Sequence, residues 1–436
     1  MQRQALETLM RCGHFHNLFL WFIAIIVPPI TGPAYGADPQ AAGLAVPAVG
    51  EPFHARLIKI DSDWRVTLDD HGHERIVSAP DLVRWGSFLE EKSASRVVLR
   101  DGSILVADVL DIDNTSITVE SAFWPTMKIS RESVAGIVFA PPAMMQARDR
   151  LLQIIGRQSR TNDLAMLRNG DQIAGRLTAA PESIEPVDNF GLRAFGVATR
   201  PSRPPVKVSV DRAVAVSLRA NDKGRVHVAT QVTWLGFQDG SLMAVDAVHI
   251  RSTDVRLTLS CGERVTLPAE DIWNDIRLVQ PLRTTIRYLS DLTPIGYQHS
   301  PFLELKRALG RDRNVLGGQL RSAGGIQLKG LGMPTTSRVV YKVTTVDRRF
   351  SAELALDDAA GNHGSAVYRV FLEQRQEAEE ASWQAAYTSP VVRGGDAPRP
   401  ISLDLTGVTK IALIVDFADR GDERDYANWL NARLLP

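Results

Sequence analysis

Two groups of residues in the last third of this 436-residue chain have the side-chain types for ligand binding. The first carries flat rings: Tyr297, His299, His363, Trp383, Tyr387 and Trp429. Such rings pack on the apolar faces of a ligand while planar polar groups bond its edges. Trp383 and Tyr387 lie in a polar connection, Glu377 to Pro390, without strand-like alternation, and are expected as an exposed platform. Trp429 is open to two readings, ring platform or core anchor, and the core reading fits better. The second group is acidic. Asp416, Asp419, Asp422 and Asp425 recur at every third position, with Arg420 and Arg424 between them. These carboxylates can ligate a hard cation or be neutralised by the arginines.

Residues 53–280 hold no comparable set. There is no GxSxG, no HExxH, no GxxxxGK[ST] and no GxGxxG after a strand. His71 and His73 flank Gly72 at a hairpin tip and read as solvated turn residues. Cys261 reads as a half-buried strand or turn residue, not a nucleophile. Trp64, Trp85, Trp124, Trp234 and Trp273 sit at strand-like positions and are expected in the core.

The elements that must position these residues are strands. In the last third, runs at 287–292, 337–346, 350–356, 365–373, 401–405 and 410–416 are rich in Val, Ile, Leu, Tyr and Phe and end at Gly, Asp, Asn or Pro. From Phe53 to Gln280 the chain repeats itself. Ala55–Leu68 matches Ala107–Glu120 in register, and Leu99-Arg-Asp-Gly102, Leu167-Arg-Asn-Gly170 and Phe237-Gln-Asp-Gly240 recur 68 and 70 residues apart. Asp-Gly and Asn-Gly between apolar alternations predict hairpins. The unit, clearest at 96–139, is similar in pattern to a small SH3-like or Sm-like barrel. The first copy, 53–89, lacks the hairpin and is expected to cap or share strands. One helix is expected over 141–163, with Met144, Met145, Leu151, Leu152 and Ile155 on one stripe. Residues 181–205 read as a long proline-punctuated loop, and 37–52 as a disordered leader.

The last third also carries an ordered set of short motifs. They are Tyr288-Leu-Ser-Asp-Leu292, Lys329-Gly-Leu-Gly332, Ser337, Tyr341, Phe350–Asp358, Gly364–Val370 and Asp425-Tyr-Ala-Asn-Trp429. Residues 283–436 thereby resemble the NPCBM family, carbohydrate-binding modules with a galactose-binding-like β-sandwich. The resemblance implies a glycan partner, galactose-type or another polysaccharide. It implies a loop site drawn from Trp383, Tyr387, His363, Tyr297 and His299. It also makes a structural Ca²⁺ at Asp416, Asp419, Asp422 and Asp425 a candidate, with no cofactor required. Two positions depart from the family pattern: Met333-Pro334-Thr335 stands where a histidine is common, and Asn428 where an aspartate is common.

The expected fold class is therefore all-β: barrel-like units at 53–140 and 164–282, a bridging helix, then the sandwich. Apolar content of 44% and charged content of 23% suit a globular protein, and zero formal net charge gives no field for nucleic acid. Arg3 and Arg11, the ten-residue apolar run Leu18–Val27 and the small residues before Ala37 read as a cleaved signal over 1–36. Secretion or periplasmic location follows, without stable membrane insertion; one cysteine, Cys261, would then remain. The expected function is non-catalytic glycan binding, with an envelope scaffold that binds protein partners as the alternative. A glycoside hydrolase, needing two carboxylates on a larger scaffold, ranks below both.

Overall fold

Short apolar alternations cut by glycine turns leave the backbone few partners except neighbouring strands, and almost every element forms that way. The computed structural model describes residues 42–156, 161–180, 191–219, 232–269, 272–282, 284–301, 305–374, 382–419 and 421–436. The proposed signal, 1–36, lies outside them.

The first two-thirds of the chain contains four copies of one antiparallel meander. In each, the last strand returns to pair with the first. The returning pairs are Ala45 with Trp85, Val97 with Ile137, Ala165 with Val216 and Leu235 with Val279. The closing strands also join the copies: Ile137 pairs with Val216, and Val279 with Trp85. Gly102, Gly170 and Gly240 hold equivalent hairpin positions. Their φ values are 92°, 90° and 88°, and each N–H donates to the carbonyl three residues back, Leu99, Leu167 or Phe237. The side chains inside the four copies merge into a single core that includes Trp85 and Trp124. Trp234 is buried in a neighbouring cluster, while Trp64 and Trp273 are partly buried against the main core.

Three expectations need correction here. The leader is not wholly without structure: Gly43–Pro47 is a strand paired with Phe53–Ile60 and Leu82–Gly86. It supplies the first strand that the first copy lacked. Its apolar run is continuous because Ala45 faces one core and Val46 another, so no alternation marks it. Within 181–205, Ala194–Ala198 is a core strand with Phe195 buried; 181–190 lie outside the described residues. The helix spans Met145–Gly156, and Met144 is exposed.

That helix touches both halves of the chain. Leu151 and Ile155 pack on Val98, Val138, Leu164 and Ala215. From the same turns, Asp149 takes a two-pronged pair from Arg321 at 2.7 and 2.8 Å. Glu90 completes the network with Arg96, Arg148 and Arg321 at 3.1–3.4 Å. These five charged side chains are almost wholly enclosed, so removing one partner would strand a buried charge. Phe88–Leu89 also adds a strand to the hairpin 320–327.

The last third is a two-sheet sandwich. One sheet runs Gly310–Arg311, Gly330–Pro334, Tyr426–Leu435, Arg349–Leu356, Arg399–Asp404; the other runs Gly296–His299, Ser337–Lys342, Val408–Phe417, Ser365–Gln374, Ser382–Thr388. Their inner faces bury Leu331, Val339, Tyr341, Phe350, Tyr368, Leu413 and Trp429 together. No helix among the described residues is long and apolar enough to cross a membrane.

Candidate functional site

The second sheet positions the site. In a sheet covered on one side, side chains alternate between the core and the outer face. Register then fixes what lies side by side outside. Glu373 stands between Trp383 and Lys410, and Phe371 between Ala385 and Ala412. Ala412 is followed across the sheet by Val340, and Ile414 by Arg338, which pairs with Gln298.

Small Ala412 in the middle, flanked by Phe371, Ile414 and Val340, leaves a depression of about 540 Å³. Its floor is apolar. Its rim carries Trp383, Glu373, Lys410, Arg338 and Gln298. Trp383 is 42% exposed. Lys410 Nζ donates to Glu373 Oε1 at 2.9 Å and Thr409 Oγ1 to Oε2 at 2.8 Å, which hold the Glu373 carboxyl below its ordinary range. An exposed indole beside an apolar floor and a hydrogen-bonding rim can stack on an apolar ligand face while the rim bonds its polar edges.

The five expected ring residues do not form one loop site. Trp383 and Tyr387 lie on an edge strand, not in a loop. A bulge opposite Val370 and Phe371 separates them, so Trp383 aligns with outward Glu373 and Tyr387 with inward Val370. Tyr387 packs against the core. Tyr297 borders the groove, but its ring also packs on the core and its hydroxyl donates to the Arg307 carbonyl at 3.1 Å. His299 and His363 sit at the other end of the sheet. There His299 Nδ1 accepts from the Arg307 amide at 3.0 Å, and burial lowers the His299 pKa. Trp429 is core: 0% exposed, 5.1 Å edge-on from Tyr368.

The four aspartates are not a ligand set either. Asp416 pairs with Arg369 at 2.9 Å and Asp419 with Arg393 at 2.5 Å. Asp425 is buried and accepts from the Ser365 amide at 2.7 Å. Among the described residues no group of three His, Cys, Asp or Glu side chains can hold a metal ion. Arg369 and Arg393 thus neutralise Asp416 and Asp419. Burial, with Asp422 and Asp419 adding, pushes Asp425 up to about 6. Burial likewise raises the Cys261 thiol, so it stays protonated at neutral pH. His71 and His73 are exposed at their hairpin tip.

The two departures have structural consequences. Asn428 Nδ2 donates to Asp357 Oδ2 at 2.9 Å in a site closed to solvent. Asn314 Nδ2 and the Arg321 and Ala359 amides supply the other donors to Asp357. Met333 is buried in the sandwich core at the position after Gly332. Lys329 of the same motif bonds Asp291 at 2.6 Å and Asp312 at 2.7 Å, a positioning role for its strand.

Phe371, Glu373, Lys410, Arg338, Gln298 and Ile414 were not marked by sequence. A signal existed: Phe371 and Ile414 are apolar at positions that strand alternation assigns to the outside.

Comparison with known proteins places one family match in the last third. The family described as "NPCBM/NEW2 domain" matches residues 286–435. A Renibacterium salmoninarum protein named "Putative endo-alpha-N-acetylgalactosaminidase" is 29% identical over 150 residues. That match covers 34% of this chain and spans only 9% of the relative's length. Among solved structures, a CBM51 from Clostridium perfringens GH95 in complex with methyl-galactose aligns at 19% identity and TM-score 0.29, covering 34% of this chain and 99% of that one. Tandem CBM51 modules of Sp3GH98 from Streptococcus pneumoniae align at 11% and 0.28, covering 80% and 88%. Likenesses at such scores carry no weight for the ligand.

Proposed function

We propose that this protein binds glycans without catalysis of its own, and does so on the outer face of the second sheet. The observation that carries the reading is Trp383: a 42% exposed indole bordering an apolar floor, rimmed by Gln298, Arg338, Glu373 and Lys410. A buried-floor groove with few polar groups suits a sugar, which presents C–H patches to rings and hydroxyls to charged and amide groups. The matched carbohydrate-module family supports the ligand class, and the relative's name fits a module that accompanies enzymes acting on glycans. On this reading the sandwich is galactose-binding-like, and the sugar is galactose-type or another polysaccharide unit.

The four closed meanders are read as SH3-like barrels forming a rigid support, consistent with the ion network that seats the helix on the sandwich. Export to the periplasm or beyond, through the 1–36 signal, completes the proposal. A glycan array probed with the full mature chain tests it. Retention of galactose-type or amino-sugar glycans is expected. Silence across the array together with capture of envelope proteins would favour the scaffold reading, to which the rigid network lends its support.

A further inference from the structure

The chain holds a second cavity, away from the groove, between the first strand and the outer face of the first sheet. It encloses about 630 Å³. Its walls are aliphatic: Leu44, Val46, Pro47, Pro400, Ile401 and Leu435. Among the described residues no aromatic ring lines it, so they offer no surface for a sugar to stack on.

Its charged lining is unbalanced. Arg84 and Arg433 both border the cavity with the carboxylate of Glu353, and an exposed Glu51 is the second carboxylate of the lining, against three arginines in all. Glu353 bonds Arg84 Nη2 at 3.3 Å through both oxygens, and Arg84 Nη1 donates to the Gly86 carbonyl at 2.8 Å. Arg433 is 7% exposed, and its hydrogen bond from Nη1 goes to the Asn431 carbonyl at 2.9 Å. The Nε atoms of both arginines are buried without a partner. A third arginine, Arg349, stands exposed among the lining residues. A buried guanidinium short of acceptors is costly, and an anion offsets that cost with charge-assisted bonds. Burial also lowers the Arg433 pKa, with Arg84 opposing its charge and Tyr288 and Glu353 favouring it.

We infer that this cavity binds a small carboxylate with an aliphatic body, the carboxylate facing Arg433 and Arg84 and the chain lying along the proline and leucine walls. A volume of this size lies within the range of small-molecule pockets.

Octanoate is the probe, with octanol and inorganic phosphate as controls, each titrated into the full mature chain and followed by ligand-detected NMR. Saturable octanoate binding, at least tenfold tighter than either control, is expected. Arg433→Gln and Arg84→Gln should each weaken it at least tenfold. Arg349→Gln, at an exposed position that spares folding, should weaken it about threefold. Failure of octanoate to bind overturns the inference, as does octanol binding equally well, or Arg349→Gln together with any folded Arg84 or Arg433 variant leaving affinity unchanged. The groove variant Trp383→Ala should leave octanoate binding intact, which separates this site from the glycan surface.

Discussion

Replacing Asn428 by aspartate should harm this protein in a pH-dependent way. Asn428 Nδ2 lies 2.9 Å from Asp357 Oδ2, and the two residues are 0% and 1% exposed. The substitution sets two carboxyl groups at hydrogen-bond distance in a dry site, where both cannot ionise. One keeps its proton, and its folded pKa rises above the unfolded value. A raised carboxyl pKa gives stability that is present below the unfolded pKa and lost as pH rises through the folded one. At about pH 4 the introduced carboxyl, still protonated, can donate to Asp357, so the loss should stay under roughly 1 kcal/mol. A shift of about two units, modest for a buried like-charge pair, costs about 3 kcal/mol by pH 7. Urea melts of Asn428→Asp and wild type at both pH values read the difference directly. An equal loss at pH 4 and 7, or no loss at either, would refute the reasoning.

Three further outcomes follow from the same geometry. Asp425, held up to about 6 by burial, makes wild-type stability fall as pH rises from about 4 to 6; Asp425→Asn keeps the Ser365 hydrogen bond and should flatten that slope by about 2–3 kcal/mol in pH-dependent melts. Gly170→Ala meets only open space and should cost about 1 kcal/mol for its positive φ, whereas Gly240→Ala would press on the Glu91 backbone and should cost clearly more in urea titrations. Trp429→Ala should cost about 3–5 kcal/mol by the same assay, and a smaller loss would contradict its place in the core.

Much of the strand pattern was legible because glycine turns and Val/Ile/Leu runs are local signals. The Asp-Gly and Asn-Gly hairpins at 102, 170 and 240 are the clearest example. What stayed hidden was set by tertiary partners. Gly43–Pro47 faces two cores at once and so shows no alternation. Ser382–Thr388 is an edge strand exposed along most of its length, and its polar composition reads as a loop. Arg148 and Asp149 look like a solvated helix face until Glu90 and Arg321, distant in sequence, enclose them. The groove was half visible. Trp383 stood out by type, but its neighbours Lys410 and Arg338 come from strands whose register no local pattern reveals.

The groove's role is tested most directly by isothermal titration of the full chain with the tightest glycan from the array, wild type against Trp383→Ala. Trp383 lies on an edge strand with its ring 42% exposed, so its loss should leave the melting temperature nearly unchanged. Affinity should fall at least tenfold, in line with one stacked ring contributing about 1.5 kcal/mol or more. A Trp383→Ala protein that melts like wild type and binds the glycan equally well would place the site elsewhere.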